Sequence, residues 1–119
     1  KITCVFQPHQ YQRTFYLFKD FVKVLAEAEI NSLILTDIYN VSGRESAELK
    51  KKVSSKKLAV EIKKKDKLKQ VIYLPNNNQT SYYLKKNLKK GEVLIIMGAG
   101  DVYNLERLLT QKKRKAKIK

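Results

Sequence analysis

Four short runs in this chain are apolar almost without interruption: ITCVF at 2–6, SLILTDIY at 32–39 up to the polar Asp37, QVIYL at 70–74 and EVLIIM at 92–97. A strand that alternates apolar and polar residues can keep one face wet, whereas one apolar throughout needs cover on both faces. The segments between the runs change period. From Thr14 to Glu29, Phe18, Phe21, Val22 and Leu25 recur at helical spacing with Lys19, Asp20, Lys23 and Glu27 between them, which predicts an amphipathic helix starting near Arg13 or Thr14. A second helix is predicted over 55–65, capped by Ser54 or Ser55 and turning Leu58, Val60 and Ile62 to the core. A third follows over 79–88, with Gly91 as its stop signal, and a fourth over 102–110, with Val102, Leu105 and Leu109 on one stripe. The stretch NVSGRESAE, punctuated by Gly43, reads as a break.

Strand and helix therefore alternate four times. Such alternation implies crossover connections and an α/β unit, a parallel sheet of at least four strands between two helical layers, in the order 3-2-1-4. At 119 residues the chain suffices for one domain. That domain is placed at 1–111, and the basic stretch 112–119 reads as a disordered tail with too little apolar content to fold. No run is long enough to span a bilayer as a helix. Residues 1–6 carry one lysine and too short an apolar stretch for a signal peptide. Cys4, the lone cysteine, sits inside the first apolar run, where it is expected to pack as a small hydrophobe in a reducing compartment, with the cytoplasm as the default location.

The formal net charge of +15 raises the possibility of an anionic polymer as partner. Only four of the 26 basic residues are arginine, the residue suited to bidentate recognition of bases and phosphates, and the lysines are spread over several segments. Dispersed lysine usually marks a solvated surface, so specific nucleic-acid binding is not expected; a lysine-rich nucleic-acid-binding α/β module stands as the alternative function. Lysine enrichment also suits a heat-adapted source with no function attached.

In an open parallel sheet, ligands bind beyond the carboxyl ends of the strands. The residues to read are then Gln7 to Arg13, Asp37 to Glu45, Asn76 to Asn78 and Gly98 to Asp101. The first of these stretches, within VFQPHQYQRT, holds the only histidine, His9, together with Arg13. His9 could serve as a base, hydrogen-bond a substrate, or cap the following helix; a metal role is disfavoured because no second histidine exists. Arg13 could meet an anionic ligand or a surface carboxylate. GAGD at 98–101 sits between a strand and a helix, where backbone N–H groups can receive an anion. It is not a dinucleotide fingerprint, because Tyr103 occupies the third glycine position, and no GxxxxGK[ST] loop occurs in the chain. Gly98 and Gly100 can equally serve a tight turn with no ligand.

VFQPHQYQRT followed by an aromatic-rich helix, LILTDIY at the second strand and LIIMGAGDVYNL at the fourth together resemble the C-terminal domain of the UDP-N-acetylmuramate:L-alanine ligases, Mur ligases of peptidoglycan synthesis. The resemblance runs from residue 2 to about residue 110. It implies a Rossmann-like three-layer fold and a cytoplasmic bacterial enzyme of three domains, the first holding the UDP-sugar and the second ATP and Mg2+. The C-terminal domain brings in L-alanine, or a similar small amino acid, and closes over the nucleotide. A fragment alone would bind neither cofactor and would be inactive. Carried over by motif, His9 and Arg13 would face the amino acid, with Tyr11 and Gln10 between them. Asp37 and Tyr39 would lie on the loop that helps select it, and Gly98, Gly100 and Asp101 on the neighbouring turn. Two departures stand out: position 10 is Gln where the family commonly has Arg, and the loop after Tyr39 is short. The histidine-rich segment that precedes the first strand in the family is absent, which suggests a piece of a longer protein. A stand-alone interaction domain on the same fold is the remaining reading.

Overall fold

A computed structural model describes residues 1–40 and 47–110. The strands β1 (Ile2–Phe6), β2 (Ser32–Leu35), β3 (Gln70–Tyr73) and β4 (Val93–Met97) form one sheet in the order β3-β2-β1-β4. Every pairing is parallel, with Val5 opposite Ile34 on one side and Ile96 on the other, so the fold is the expected Rossmann-like α/β unit. The chain steps outward from β1 to β3 and then jumps back to place β4 on the far side of β1. This reversal opens a crevice at the carboxyl ends of β1 and β4.

Alternate residues of the strands feed two cores. On one face Cys4, Leu33 and Leu35 pack against Val22, Leu25 and Ala26 of α2 (Phe18–Glu27) and Leu58, Ala59 and Ile62 of α4 (Ser55–Lys65). On the other, Val5 and Ile34 pack against Leu84 of α5 (Asn77–Asn87), Val102, and Leu105 of α6 (Asn104–Thr110). Cover on both faces is complete only for the central pair. The edge strands β3 and β4 are partly open, and Val93, Ile95 and Met97 form an exposed row on β4, contrary to the expectation of double burial for every strand. β4 borders a core on one face only, through Leu94 and Ile96, whereas β3 packs Val71 and Tyr73 on one core and Ile72 on the other but is partly exposed at the sheet edge.

Helix boundaries differ from the sequence expectation for local reasons. The helix expected over 14–29 is two helices, α1 (Tyr11–Tyr16) and α2, bent at Leu17. Hydrogen bonds from Leu17 N to Arg13 O (3.0 Å) and Phe21 N to Leu17 O (2.9 Å) carry across the bend. Thr14 is buried inside α1 rather than at its start, and its hydroxyl donates to the Gln10 carbonyl at 2.7 Å. Ser54 caps α4 as expected, accepting from Lys57 N at 3.1 Å. Val60 is 49% exposed, however, because a 3.6-residue turn sets Leu58, Ala59 and Ile62 on one face and Val60 on the other. Asn76 caps α5, accepting from Gln79 N at 2.9 Å, so this helix begins before Gln79; it ends at Asn87, and Gly91 serves the following turn at φ 90°. Residues 101–103 form a 3-10 turn ahead of α6. The short helix α3 (Ala47–Lys52) lies at the end of the stretch read as a break; Gly43 and the tail at 112–119 lie outside the described residues.

Lys69 is the one lysine buried among the described residues. Its ammonium donates to Leu25 O (3.0 Å) and Ala28 O (2.6 Å), occupying carbonyls at the end of α2 that have no helical partner. Close by, Cys4 is 3% exposed, and burial pushes its thiol up to about 11 despite the opposing charge of Lys69.

Candidate functional site

Hydrogen bonds of the sheet continue past the strand ends and fix the loops that follow. Gln7 N donates to Met97 O (2.9 Å), Thr36 N to Phe6 O (3.1 Å) and Asp37 N to Pro75 O (3.1 Å). Beyond them Pro8–Gln10 runs beside Tyr39: Tyr39 N donates to Pro8 O and Gln10 N to Tyr39 O, both at 2.8 Å. The pairing holds Gln10 at φ 68° and ψ 135°, a conformation that side chains disfavour. The imidazole of His9 stacks on the Tyr39 ring, 5.6 Å between centroids and 12° between planes.

The turn after β4 closes against the same ring. A Cβ on Gly100 would fall on Tyr39 and lie 2.7 Å from Gln7 Oε1, and one on Gly98, at φ 154°, would meet Val102 at 2.6 Å. Close approach therefore accounts for both glycines. Gln7, 6% exposed, is the pin: its Nε2 donates to Asp101 Oδ1 at 2.7 Å while its Oε1 accepts from Val102 N at 3.2 Å. Asn77 adds a bond from Nδ2 to Asp101 O at 2.8 Å.

These loops surround a cavity of about 340 Å³ over the carboxyl ends of all four strands, bounded by Gln7, Thr36, Asp37, Tyr39, Asn77 and Asp101 among others. Tyr73, at the end of β3, donates its phenol to Oδ1 of the cavity residue Asp37. Burial, then the Asp37 bond and charge, push the Tyr73 hydroxyl up to about 12, so it remains a donor near neutrality.

Of the residues singled out from sequence, Asp37, Tyr39 and Asp101 line the cavity, and His9, Gln10 and Gly100 are tied to Tyr39. Tyr11 stands at the start of α1 with the Lys50 ammonium 5.9 Å from its ring centre. Arg13 is exposed on α1 and does not line the cavity. Gln7 opened the first stretch read from the sequence but was given no role there, and Thr36 and Tyr73 were passed over. Thr36 was findable as a polar residue directly after an apolar run; Tyr73 was concealed inside one. No group of three His, Cys, Asp or Glu able to hold a metal occurs among the described residues. The sequence contains no GxxxxGK[ST] phosphate loop.

Three stretches far apart in the sequence, FQPHQYQRT, LTDIY and GAGD, meet at this edge of the sheet. The chain is 33% identical over 114 residues to the UDP-N-acetylmuramate--L-alanine ligase of Acetivibrio thermocellus, covering 96% of this chain and 23% of that protein. It is 41% identical over 103 residues to the enzyme of that name from Clostridium tetani, covering 87% and 21% respectively. The chain belongs to the UDP-N-acetylmuramate:L-alanine ligase family. A third member, from Geotalea uraniireducens, is 36% identical over 112 residues, covering 94% of this chain and 23% of that protein. The chain thus spans less than a quarter of the length of these family members. No protein-family model matches it. No described helix is long and apolar enough to cross a membrane.

Proposed function

We propose that this chain is the amino-acid-binding C-terminal domain of a cytoplasmic ligase that joins L-alanine to UDP-N-acetylmuramate at the expense of ATP. The observation that carries the reading is the His9, Tyr39 and Gly100 contact. Three motifs far apart in sequence, each part of the family resemblance, converge on one ring beside a cavity at the carboxyl edge of the sheet. In the proposed reaction the muramyl carboxylate takes the γ-phosphoryl group of ATP with loss of ADP. The alanine amine, freed of its proton, then attacks the acyl carbon and phosphate leaves. ATP and Mg2+ are held by other parts of the complete protein.

This chain contributes binding, orientation and exclusion of water. Arg13, exposed and with no side-chain partner among the described residues, is available to the alanine carboxylate or to the acyl phosphate when the domains close. His9, held by its stack on Tyr39, supplies a ring nitrogen to the same ligand. Its Nδ1 is buried without a hydrogen-bond partner among the described residues, a vacancy a ligand donor or acceptor would fill.

The test is ATP-dependent formation of UDP-N-acetylmuramoyl-L-alanine by the complete protein. Truncating an arginine that pairs with a carboxylate in a closed site costs about 2–5 kcal/mol. Arg13→Ala should therefore lower kcat/KM for L-alanine by about 30-fold or more, with little change in the KM values for ATP and the UDP-sugar. His9→Ala should act in the same direction but more mildly. The isolated chain should release no phosphate from ATP. Absence of ligation by the complete protein, or unchanged alanine kinetics in Arg13→Ala, would refute the assignment.

A further inference from the structure

Away from the cavity, lysine charge and exposed apolar residues coincide in one place. Seven lysines fall between Lys56 and Lys69, against two acidic residues, Glu61 and Asp66, and no arginine. All but Lys69 are exposed. A groove of about 650 Å³ runs between α4 and the edge strand β3, lined on its apolar side by Ala59, Val60 and Val71. Lys56, Lys63, Lys64 and Lys67 stand around it. On α4, Lys56, Val60, Lys63 and Lys64 follow one another at helical spacing, so they share a stripe that is apolar in the middle and cationic at both ends.

Next to Lys67, Leu68 is 97% exposed, more than any other large apolar residue described. The loop that carries it is fastened on both sides. Asp66 Oδ1 accepts from Leu68 N (3.1 Å) and Lys69 N (3.3 Å), and the Lys63 ammonium donates to Lys67 O (3.1 Å) and Lys69 O (2.6 Å). The Lys69 side chain is drawn inward to the α2 carbonyls. The leucine is therefore held out in water by its loop. Because that loop precedes β3, it lies at the amino edge of the parallel sheet, opposite the cavity at the carboxyl edge. The other loops on the amino edge add Lys1, Lys89 and Lys90 against Glu29 and Glu92.

We infer that Leu68 and the lysine-flanked groove of α4 and β3 form a docking surface for an anionic lipid bilayer, a contact with the membrane surface and not a span. Charge complementarity calls for an anionic partner, and two features choose the bilayer among anions. Lysine is a compact point charge on an apolar stem, which can lie along apolar surface while its ammonium sits at the level of lipid phosphates. Bidentate recognition of a nucleic-acid phosphate or base is the work of arginine, absent from this stretch. A leucine standing clear of the surface needs a matching pocket in a protein partner and gains nothing beside a phosphate chain in water, whereas it enters a fluid acyl layer without one. Docked through the amino edge, the chain turns its carboxyl-edge cavity away from the bilayer and leaves it open to the rest of the complete protein. The inference does not rest on the ligase reading.

The test is sedimentation of the complete protein with vesicles of phosphatidylcholine alone and with vesicles of an equal mixture of phosphatidylcholine and phosphatidylglycerol. The protein should sediment with the mixed vesicles and not with the neutral ones, and the bound fraction should fall as salt rises. Leu68→Ser should weaken attachment to the mixed vesicles by about tenfold or more, through loss of the inserted apolar carbons. Lys64→Gln combined with Lys67→Gln should weaken it by about 30-fold, about fivefold for each charge removed. All three side chains are exposed and none lines the cavity, so the melting temperature and any ligation by the complete protein should be unchanged in these variants. No attachment to the mixed vesicles, equal attachment to the neutral ones, or attachment unaffected by Leu68→Ser would overturn the inference. Polyglutamate and a single-stranded polynucleotide serve as the competing occupants. Binding of either one that needs Lys64 and Lys67 but not Leu68, without vesicle attachment, would give the surface to an acidic protein or a nucleic acid and overturn the inference as well. Attachment is read without substrate, so its outcome and that of the ligation assay are independent.

Discussion

Gln7 joins the end of β1 to the turn after β4, and two substitutions separate its two bonds. Gln7→Leu keeps the volume but removes both. The hydrogen bond to the Asp101 carboxylate, at 2.7 Å, involves a charged group and contributes about 1.5–3 kcal/mol. The Val102 N–H, on a residue that is 0% exposed, is left unpaired at a cost of about 1–3 kcal/mol. The sum is about 2.5–6 kcal/mol, which for a domain of this size lowers the melting temperature by about 10 °C or more. Gln7→Glu retains an acceptor for Val102 N but sets a second carboxylate against Asp101. At neutral pH the repulsion should cost about 2–4 kcal/mol at the effective dielectric of a partly buried site. One of the two carboxyls then has its pKa raised in the folded state, so the penalty is absent below the ordinary carboxylate range and grows as pH rises through that raised value. Urea unfolding followed by circular dichroism at about pH 7 and about pH 4.5 reads both effects. Gln7→Leu within about 1 kcal/mol of the parent, or Gln7→Glu with the same deficit at both pH values, would refute the claim that this side chain holds the site together.

Lys69→Met should cost about 2–4 kcal/mol in the same assay, since it leaves Leu25 O and Ala28 O without their charged donor, while Lys67→Met on the exposed surface should stay within about 0.5 kcal/mol. Gln10→Gly should raise stability by about 1 kcal/mol by releasing the backbone held at φ 68°, read as a higher melting temperature. Tyr73 ionises more readily unfolded, at 10.0, than folded, at about 12, so its contribution is complete below the first value and is lost as pH rises through the second; Tyr73→Phe should flatten the fall of stability over that window. Cys4, buried and raised to about 11, should be alkylated near neutrality only at the rate at which the fold opens.

The number of strands, their parallel order and the edge at which to look for a ligand were determined by the sequence alone. An apolar run and a 3.6-residue stripe are local signals, and their alternation admits few topologies. The positions of Asp37, Tyr39 and Asp101 in the site follow from the same rule, because each comes soon after a strand. Tertiary structure decided which of these residues touch. Gln7 and Asp101 are separated by 94 positions, and only the pairing of β1 with β4 makes them neighbours. The capture of the α2 carbonyls by Lys69 across 41 positions, and the closing of Gly100 on Tyr39, depend in the same way on contacts between distant segments. A lysine amid lysines carries no local mark that its charge is buried, and the apolar run of β4 does not say that one of its faces is open. Periodicity reports what a segment can bury; what it meets there is fixed by the packing of the other segments around it.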